Sequence, residues 1–509
     1  MRGWVKYIVI PAKAGIHRRA SARHMSPAAG LSELLFDLYA RHRSRWIPAF
    51  AGKTAAFILI FCSLTAHAAV FYPTNFTLSN GLQVVVVPNP LAPVVSQMVW
   101  YKVGAADEVK GKNGLAHYLE HLMFRGTANI PAGEFSKMIA GQGGQDNAFT
   151  SYDYTAYYET VEASRLPMIM QMEADRMQNL RITEETAGPE LHVVLDERQQ
   201  RTDNSPEGRF YEKFDHKFMP HYPYGRPVIG WKREIEKLTP EDAREFYETH
   251  YAPNNAVVVI SGDVKVEDVM RLAAATYGRV PKREVAKRHV FGPAPKPKTH
   301  EFTSMDVGVE QPEVVWRFAV PSYATQKNGE AYAYEVLAEA LDDGEVGVLY
   351  QKLVTGQGIA SAVESSYDPD ARGETSFTLA ASPRPGVTYK KLEKAMHKVL
   401  ADSAKKGLEA QTVEDAKRRL QRSAIFAREG LMMPGYAFGM ALTTGHRVAD
   451  VEAWPDHINA VTVDQVNVAL RDLAGTPRQL MGALLPDPHA TPASREAAQP
   501  LIGHETGIR

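Results

Sequence analysis

The sequence predicts an α+β protein of two consecutive, related domains, each a mostly antiparallel sheet packed against helices. Three observations point there. In the first half strand-like stretches come first, helical ones follow and a strand returns, which separates helices from strands instead of alternating them. A Pro/Lys stretch, Phe291–Lys298, breaks the chain, and the order roughly repeats beyond it. The composition, 44% hydrophobic and 23% charged over 509 residues, is that of a globular protein with a large core. Lys and Arg number 58 and Asp and Glu 59, a balance that gives no sign of a nucleic-acid-binding surface. No apolar run reaches the ~20 residues of a spanning helix, so no stable membrane span is expected in the mature chain.

Phe76–Val87 reads as a hairpin with Asn80-Gly81 as its two-residue turn, and Val94–Val103 as a further strand. Asn113 to about Gly126 has helical spacing, with Asn113 as N-cap. Tyr152–Thr160 reads as a strand, Leu166–Leu180, Thr183–Arg201 and Pro240–Tyr251 as helices, and Ala256–Ile260 as a short buried strand. After the linker at 291–299, Glu313–Val320 is strand-like, Gly329–Leu341 helical and Glu374–Ala381 strand-like; Tyr389–Lys406, Thr412–Arg428 and Thr462–Ala474 are helical. The domains therefore run over 69–290 and 300–500.

The beginning of the chain has a different character. In residues 1–53, Ile10-Pro11-Ala12-Lys13-Ala14-Gly15 recurs as Ile47-Pro48-Ala49-Phe50-Ala51-Gly52 among many Arg and His. This reads as an extension, either upstream sequence taken in by a misplaced start or a disordered lead. Residues 54–68 have the parts of a signal peptide: Lys53, the apolar Ala55–Leu64, then Ala66-His67-Ala68 ahead of Ala69. The expected destination is periplasmic or secreted. The sole cysteine, Cys62, lies inside this leader, so the mature chain would carry no thiol to misoxidise.

The chemistry is concentrated in Asn113-Gly-Leu-Ala-His117-Tyr118-Leu119-Glu120-His121. On a helix His117 and His121 lie one turn apart on one face, so two imidazoles can share one metal ion. Glu120 stands on the adjoining edge, able to reach a metal-activated water without being a ligand. A second helical stretch holds Glu190-Leu-His192-Val-Val-Leu-Asp196-Glu197, with Glu190 and Glu197 on one stripe two turns apart. A carboxylate from it would complete a His₂Glu set with one open position. Such donors suit zinc better than magnesium or calcium, which favour all-oxygen shells. His192 and Asp196 read as solvated or core-edge positions. Gly356-Gln357-Gly358 is a small-residue loop with no mark of a phosphate site.

These residues resemble the pitrilysin-type (inverzincin) zinc metallopeptidases, whose HxxEH reverses the thermolysin order, and in size the bacterial relatives of mitochondrial processing peptidase. The resemblance runs from about Phe71 to Leu473. It implies a zinc-dependent endopeptidase with one zinc per chain, Glu120 as general base and unfolded peptides or polypeptide segments as substrate. The family's third ligand lies 76 residues after its second His, which selects Glu197; Glu190 matches the acidic residue that orients the site from behind. Gly144–Thr150 matches the family's strand beside the zinc, which implies substrate contact at Asn147, Ala148 and Phe149. The family's Arg–Tyr pair has no clear match: Arg317 with Tyr323, and Arg428 with Tyr436, have unconvincing spacing, and structural roles are expected for all four. In bacterial relatives that pair often lies on a metal-free partner, which implies a homodimer or a heterodimer. The rival reading is a noncatalytic scaffold or partner subunit of the same fold.

Overall fold

The computed structural model describes residues 70–342 and 344–491. The N-terminal extension, the leader and Cys62 lie outside the described residues. The first lobe has six strands, β1 (Thr74–Thr77), β2 (Gln83–Pro88), β3 (Val94–Tyr101), β4 (Gln145–Thr150), β5 (Thr155–Glu162) and β6 (Ala256–Gly262), in the order β1-β2-β6-β3-β5-β4. Its helices are α1 (Leu115–Leu122), α2 (Glu134–Gly141), α3 (Leu166–Asn179), α4 (Glu184–Arg198), α5 (Pro206–Phe218), α6 (Lys232–Ile235), α7 (Pro240–His250) and α8 (Val266–Ala275). The second lobe has β7 (Glu301–Asp306), β8 (Glu313–Val320), β9 (Ala360–Tyr367), β10 (Thr375–Pro383) and β11 (Gln479–Pro486), in the order β7-β11-β8-β10-β9. Its helices are α9 (Glu330–Leu341), α10 (Tyr389–Lys406), α11 (Ala410–Ala427), α12 (Met433–Thr444), α13 (Val448–Glu452), α14 (Trp454–Ala460) and α15 (Val463–Gly475).

Without β1 the two sheets have one topology. Each has a single parallel pair, β2 with β6 and β7 with β11, and antiparallel pairing elsewhere. The fold is α+β with two related lobes, as the element order predicts.

The hairpin forms, but its turn is longer than two residues. Leu78 and Leu82 close it with hydrogen bonds from Leu78 N to Leu82 O (2.9 Å) and from Gly81 N to Leu78 O (2.9 Å). Gly81 takes φ +94°, and the Asn80 amide turns inward to donate to the carbonyls of Tyr277 and Val280 (2.8 Å each). The region around 291–299 has no regular structure yet is no loose spacer. Ala294 N donates to Glu374 (2.7 Å), and Phe291 packs among Tyr222, Tyr224 and the Arg372 guanidinium.

Alternation along the strands sends each sheet's two faces into different cores. Val84, Val86, Val99, Tyr101, Val258 and Ile260 join α1, α3, α7 and α8. On the opposite face, Val85, Val87, Met98, Trp100, Val257 and Val259 belong to a core that runs into the second lobe. In the second sheet Trp316 and Phe318 face α9 and α10, while Val315, Ala319, Leu480 and Leu484 meet Phe210, Phe214 and Phe218 of α5. Each lobe thus lends a helix to the other: α5 covers the second sheet and α12 covers the first.

Glycines let these helices approach. A Cβ on Gly439 would stand 2.0 Å from Trp100 Cε2, and one on Gly435 2.2 Å from Met98 Sδ. Gly482 on β11 admits the Phe210 and Phe214 rings, within 2.8 Å of where a Cβ would be. Trp100 is fully buried and also meets Phe149, Tyr154 and Tyr436 edge-on, so it has no room to yield. Gly439→Ala is therefore expected to cost about 1–3 kcal/mol through overpacking, read as a lower denaturant midpoint. Gly188→Ala on α4, where nothing lies within 4 Å, should leave the midpoint unchanged or raise it.

Candidate metal centre

Helix α1 is started by its neighbours. Asn113 is not the N-cap: that position is Gly114, at φ +99°. The Asn113 amide instead donates to Glu108 Oε2 (2.7 Å) and the Pro227 carbonyl (3.1 Å), and its oxygen accepts from Trp231 N (3.1 Å). The Glu108 carboxylate caps the helix, accepting from Gly114 N (3.1 Å) and Ala116 N (2.9 Å). Buried Leu115, Leu119 and Leu122 seat the helix on the first core, which presents His117, Glu120 and His121 on its other side. Thr183 caps α4 by accepting from Thr186 N, and α4 runs on through a wide π-helical stretch, Gln199–Asp203.

The packing of α1 against α4 closes the 76-residue gap. Nε2 of His121 lies 3.1 Å from Glu197 Oε2 and Nε2 of His117 lies 3.7 Å from the same oxygen. Donor atoms of His117, His121 and Glu197 all fall within 4.8 Å of one another, the one such set among the described residues. Glu190 Oε1 meets the other nitrogen of His121, Nδ1, at 2.7 Å, which turns Nε2 toward Glu197. Arg125 pairs with the second Glu190 oxygen, and Arg201 with Glu197 Oε1, so Oε2 is the oxygen left facing the histidines. The buried Arg198 clamps this end of α4 to Glu212 (2.6 Å) and to the Gly230 carbonyl (2.6 Å).

The electrostatics fit a cation. Burial, with the charge of His121 beside it, holds the His117 ring down to about 3, so it keeps a lone pair at neutral pH. Burial also opposes charge on His121, but its bonds to Glu190 and Glu197 prevail and push it up to about 9. Glu197 is held down to about 2: burial works against its charge, and the His121 hydrogen bond with the charges of His117, His121 and Arg201 outweighs it. An anionic carboxylate and two converging imidazole nitrogens are thus gathered at one point. Nδ1 of His117 is buried without a partner. The donor set fits one divalent ion.

Glu120 stands beside this triad. Thr150 Oγ1 donates to its Oε2 (2.5 Å), and burial pushes its carboxyl up to about 6 against that bond. Thr150 ends β4, the free edge of the first sheet. On that strand Asn147 Oδ1 accepts from Ala148 N (2.9 Å). Phe149 turns its ring inward, stacked on Tyr436 at 5.7 Å, so it offers the edge only its main chain. His192 is bonded to the Gly188 carbonyl (2.9 Å), and neither it nor Asp196 joins the donor set. Arg317 pairs with Asp215, Tyr323 donates to Glu335 (2.5 Å), and Arg428 lies over Tyr72, which gives all of them structural partners. The supports that the motif does not reveal are Glu108, Arg125, Thr150 and Arg201. Arg201 carries a faint signal, four residues after Glu197 on one helical stripe.

Two outcomes test this geometry. Glu190→Gln should weaken divalent-metal affinity by about 10–100-fold, measured by competition with a chelator. The proton that His121 holds below pH 9 must leave when an ion binds, so affinity should climb about tenfold per pH unit between 6 and 8; a flat profile would mean that His121 is already neutral.

Comparison with known proteins gives the chain's family. Residues 83–231 match the family described as Insulinase (Peptidase family M16), and 237–420 match the Peptidase M16 inactive domain. The chain is 32% identical over 376 residues to a Helicobacter pylori protein named zinc protease PqqE, covering 72% of this chain and 83% of the relative. It is 28% identical over 425 residues to an uncharacterised zinc protease of Mycobacterium leprae, covering 82% and 92%. A crystal structure of a Helicobacter pylori protease superposes with a TM-score of 0.76 at 28% identity, over 82% of this chain and all of that one. The periplasmic protease PqqL of Escherichia coli shares the fold, with a TM-score of 0.69 at 18% identity over 84% of this chain and 49% of PqqL. With its two lobes and its His₂Glu cluster, the chain belongs to the M16 peptidase family.

Proposed function

We propose that this protein is a zinc-dependent endopeptidase that hydrolyses unfolded peptides or extended polypeptide segments. The observation that carries the reading is the meeting of His117 Nε2, His121 Nε2 and Glu197 Oε2 beside a carboxylate, Glu120, that is not one of the three donors. Zinc suits that donor set, and when bound it supplies Lewis acidity to an attacking water and to the scissile carbonyl. Glu190 and Arg201 orient the ligands: one fixes the His121 ring through Nδ1, the other occupies Glu197 Oε1.

Glu120 does the proton work. Thr150 holds Oε2, which leaves Oε1 to accept the proton of the water as its oxygen bonds to the carbonyl carbon. The same carboxyl then delivers that proton to the amide nitrogen as the C–N bond breaks. A carboxyl raised to about 6 is a stronger base than an ordinary one while still ionised at neutral pH. The substrate enters as an added strand along β4, whose outer main-chain groups stand ready for an extended peptide, with Asn147 and Ala148 at the contact.

Two wider parts of the reading follow. The A-x-A leader at 54–68 supports export to the periplasm or beyond. The chain matches about half of PqqL, and the Arg–Tyr candidates are engaged elsewhere; both support pairing with a second copy or with a metal-free subunit. No helix among the described residues is long and apolar enough to cross a membrane.

Glu120→Gln is the direct test. It should keep stoichiometric zinc while cutting turnover of a quenched peptide by about 10²–10⁴-fold. Loss of zinc would make Glu120 a ligand, and unchanged cleavage would remove it as the base; a noncatalytic scaffold would show no zinc-dependent turnover in either form.

A further inference from the structure

The second lobe repeats the topology of the first, so it holds a counterpart of the metal centre. Helix α9 follows β8 and precedes the edge strand β9, as α1 follows β3 and precedes the edge strand β4. Both helices start one residue after a left-handed glycine, Gly114 at φ +99° and Gly329 at φ +80°. Counted from that glycine, His117 corresponds to Tyr332, Glu120 to Glu335 and His121 to Val336. Helix α11 packs on α9 as α4 packs on α1. The two imidazoles have gone and the glutamate has stayed. Glu335 is held as Glu120 is, by a hydroxyl: Tyr323 Oη donates to it at 2.5 Å, and Trp454 Nε1 adds a bond at 3.1 Å.

Around Glu335 lies a cavity of about 820 Å³. Its wall includes seven carboxyl groups and no lysine or arginine. Arg419 answers Glu339 and Arg447 answers Asp450. Glu335, Asp368 and Asp370 have no such partner; Glu335 and Asp370 are half-buried and Asp368 is exposed, partial withdrawal from water raises the carboxyls, and the charges of Asp368 and Glu335 add to the effect at Asp370. Ser365 of β9, only 4% exposed, lines the same wall on the strand face of Val363 and Tyr367, and its hydroxyl has no hydrogen-bond partner. Nε2 of His446, also on the wall, lacks one too. Tyr323, Tyr332 and Trp454 supply aromatic surface, with Tyr323 and Tyr332 ring centroids 4.8 Å apart. These carboxylates do not gather closely enough to chelate an ion: the one metal-sized set among the described residues is His117, His121 and Glu197. Dispersed acids, aromatic faces and waiting polar atoms suit a large, delocalised cation with several N–H donors.

We propose that this cavity is a second, noncatalytic site that binds an organic cation, the guanidinium or ammonium group of a basic side chain carried by the peptide. The peptide as carrier rests on the endopeptidase reading; the cation site does not. Asp368 and Asp370 supply the charge, Asp370 losing its proton to solvent as the cation enters, the aromatic rings cover the cation, and Ser365 Oγ with His446 Nε2 accept from its N–H groups. A peptide with a basic residue would then be held at the second lobe while a different stretch lies along β4.

The experiment uses the full chain and three probes, N-acetyl-arginine amide, N-acetyl-lysine amide and the neutral isostere N-acetyl-citrulline amide, with binding followed by calorimetry. The arginine probe should bind saturably and citrulline at least about tenfold more weakly, the loss of a charge-assisted contact in a desolvated site. Asp368→Asn and Asp370→Asn should each weaken arginine binding several-fold; both relieve the like-charge repulsion between these two carboxyls, so their melting temperatures should not fall. Glu120→Gln should bind the arginine probe as the unmodified chain does, which separates this site from the metal centre. With basic quenched peptides, Asp370→Asn should raise KM and leave kcat unchanged. Absence of saturable arginine binding, equal binding of citrulline, or unchanged binding in both Asn variants would each overturn the proposal. If instead the probe binds as expected and no peptide is ever cleaved, the cation site stands and the endopeptidase reading fails.

Discussion

The architecture depends on two helices, α1 and α4, being pressed together so that a carboxylate oxygen lies within 3.1 and 3.7 Å of two imidazole nitrogens. Withdrawing these polar side chains from water is costly, and their supports reflect that. Glu108 takes up the open N–H groups at the start of α1, Glu190 and Arg125 lock one ring, and Arg201 and Arg198 fix the far end of α4. The result is a preorganised donor set whose desolvation cost is offset by burying the leucine face of α1 in the first core.

That rigidity extends through the molecule because neither lobe is covered without the other. The aromatic row of α5 completes the second sheet, and α12 completes the first through a pair of glycines that bring it down onto Met98 and Trp100. Phe149, one residue before Thr150, is stacked on Tyr436 of α12. The edge strand beside the metal centre is thereby braced from the opposite lobe, which links the packing between lobes to the position of the Thr150 hydroxyl on Glu120.

The shared topology also explains how two unlike sites arise on one scaffold. The glycine-started helix, the edge strand and the packing helix recur, so both lobes place a site at the same topological position. Imidazoles at the third and seventh helical positions make one pocket a metal centre. Tyr332 and Val336 at those positions, with Asp368 and Asp370 just beyond β9, make the other an acidic, aromatic cavity. In both, a half-buried glutamate at the sixth position is raised and held by a hydroxyl, so the shared frame preserves a tunable carboxyl while its neighbours set the chemistry.

Much of this could be read along the chain. Helical spacing placed His117, Glu120 and His121 on adjoining sides of one helix, because i, i+3 and i+4 relations are local and need no tertiary contact. The same local periodicity marked most strands and helices, often to within two residues. Glu197 as third donor came from resemblance, since a stripe that also holds Glu190 leaves the choice open. What folding alone settled is what joins distant segments. Asn113 looks like a cap but is drawn off to Glu108, Pro227 and Trp231, and Phe149 looks like part of a binding strand but points into the core between lobes. Helices α5 and α12 serve the opposite sheet, which no local pattern records, since an apolar face shows that it is buried but not against what. The equivalence of Glu335 with Glu120 likewise needs superposable topology, because an isolated YxxEV carries no signal until a glycine start and two matching sheets give it a position.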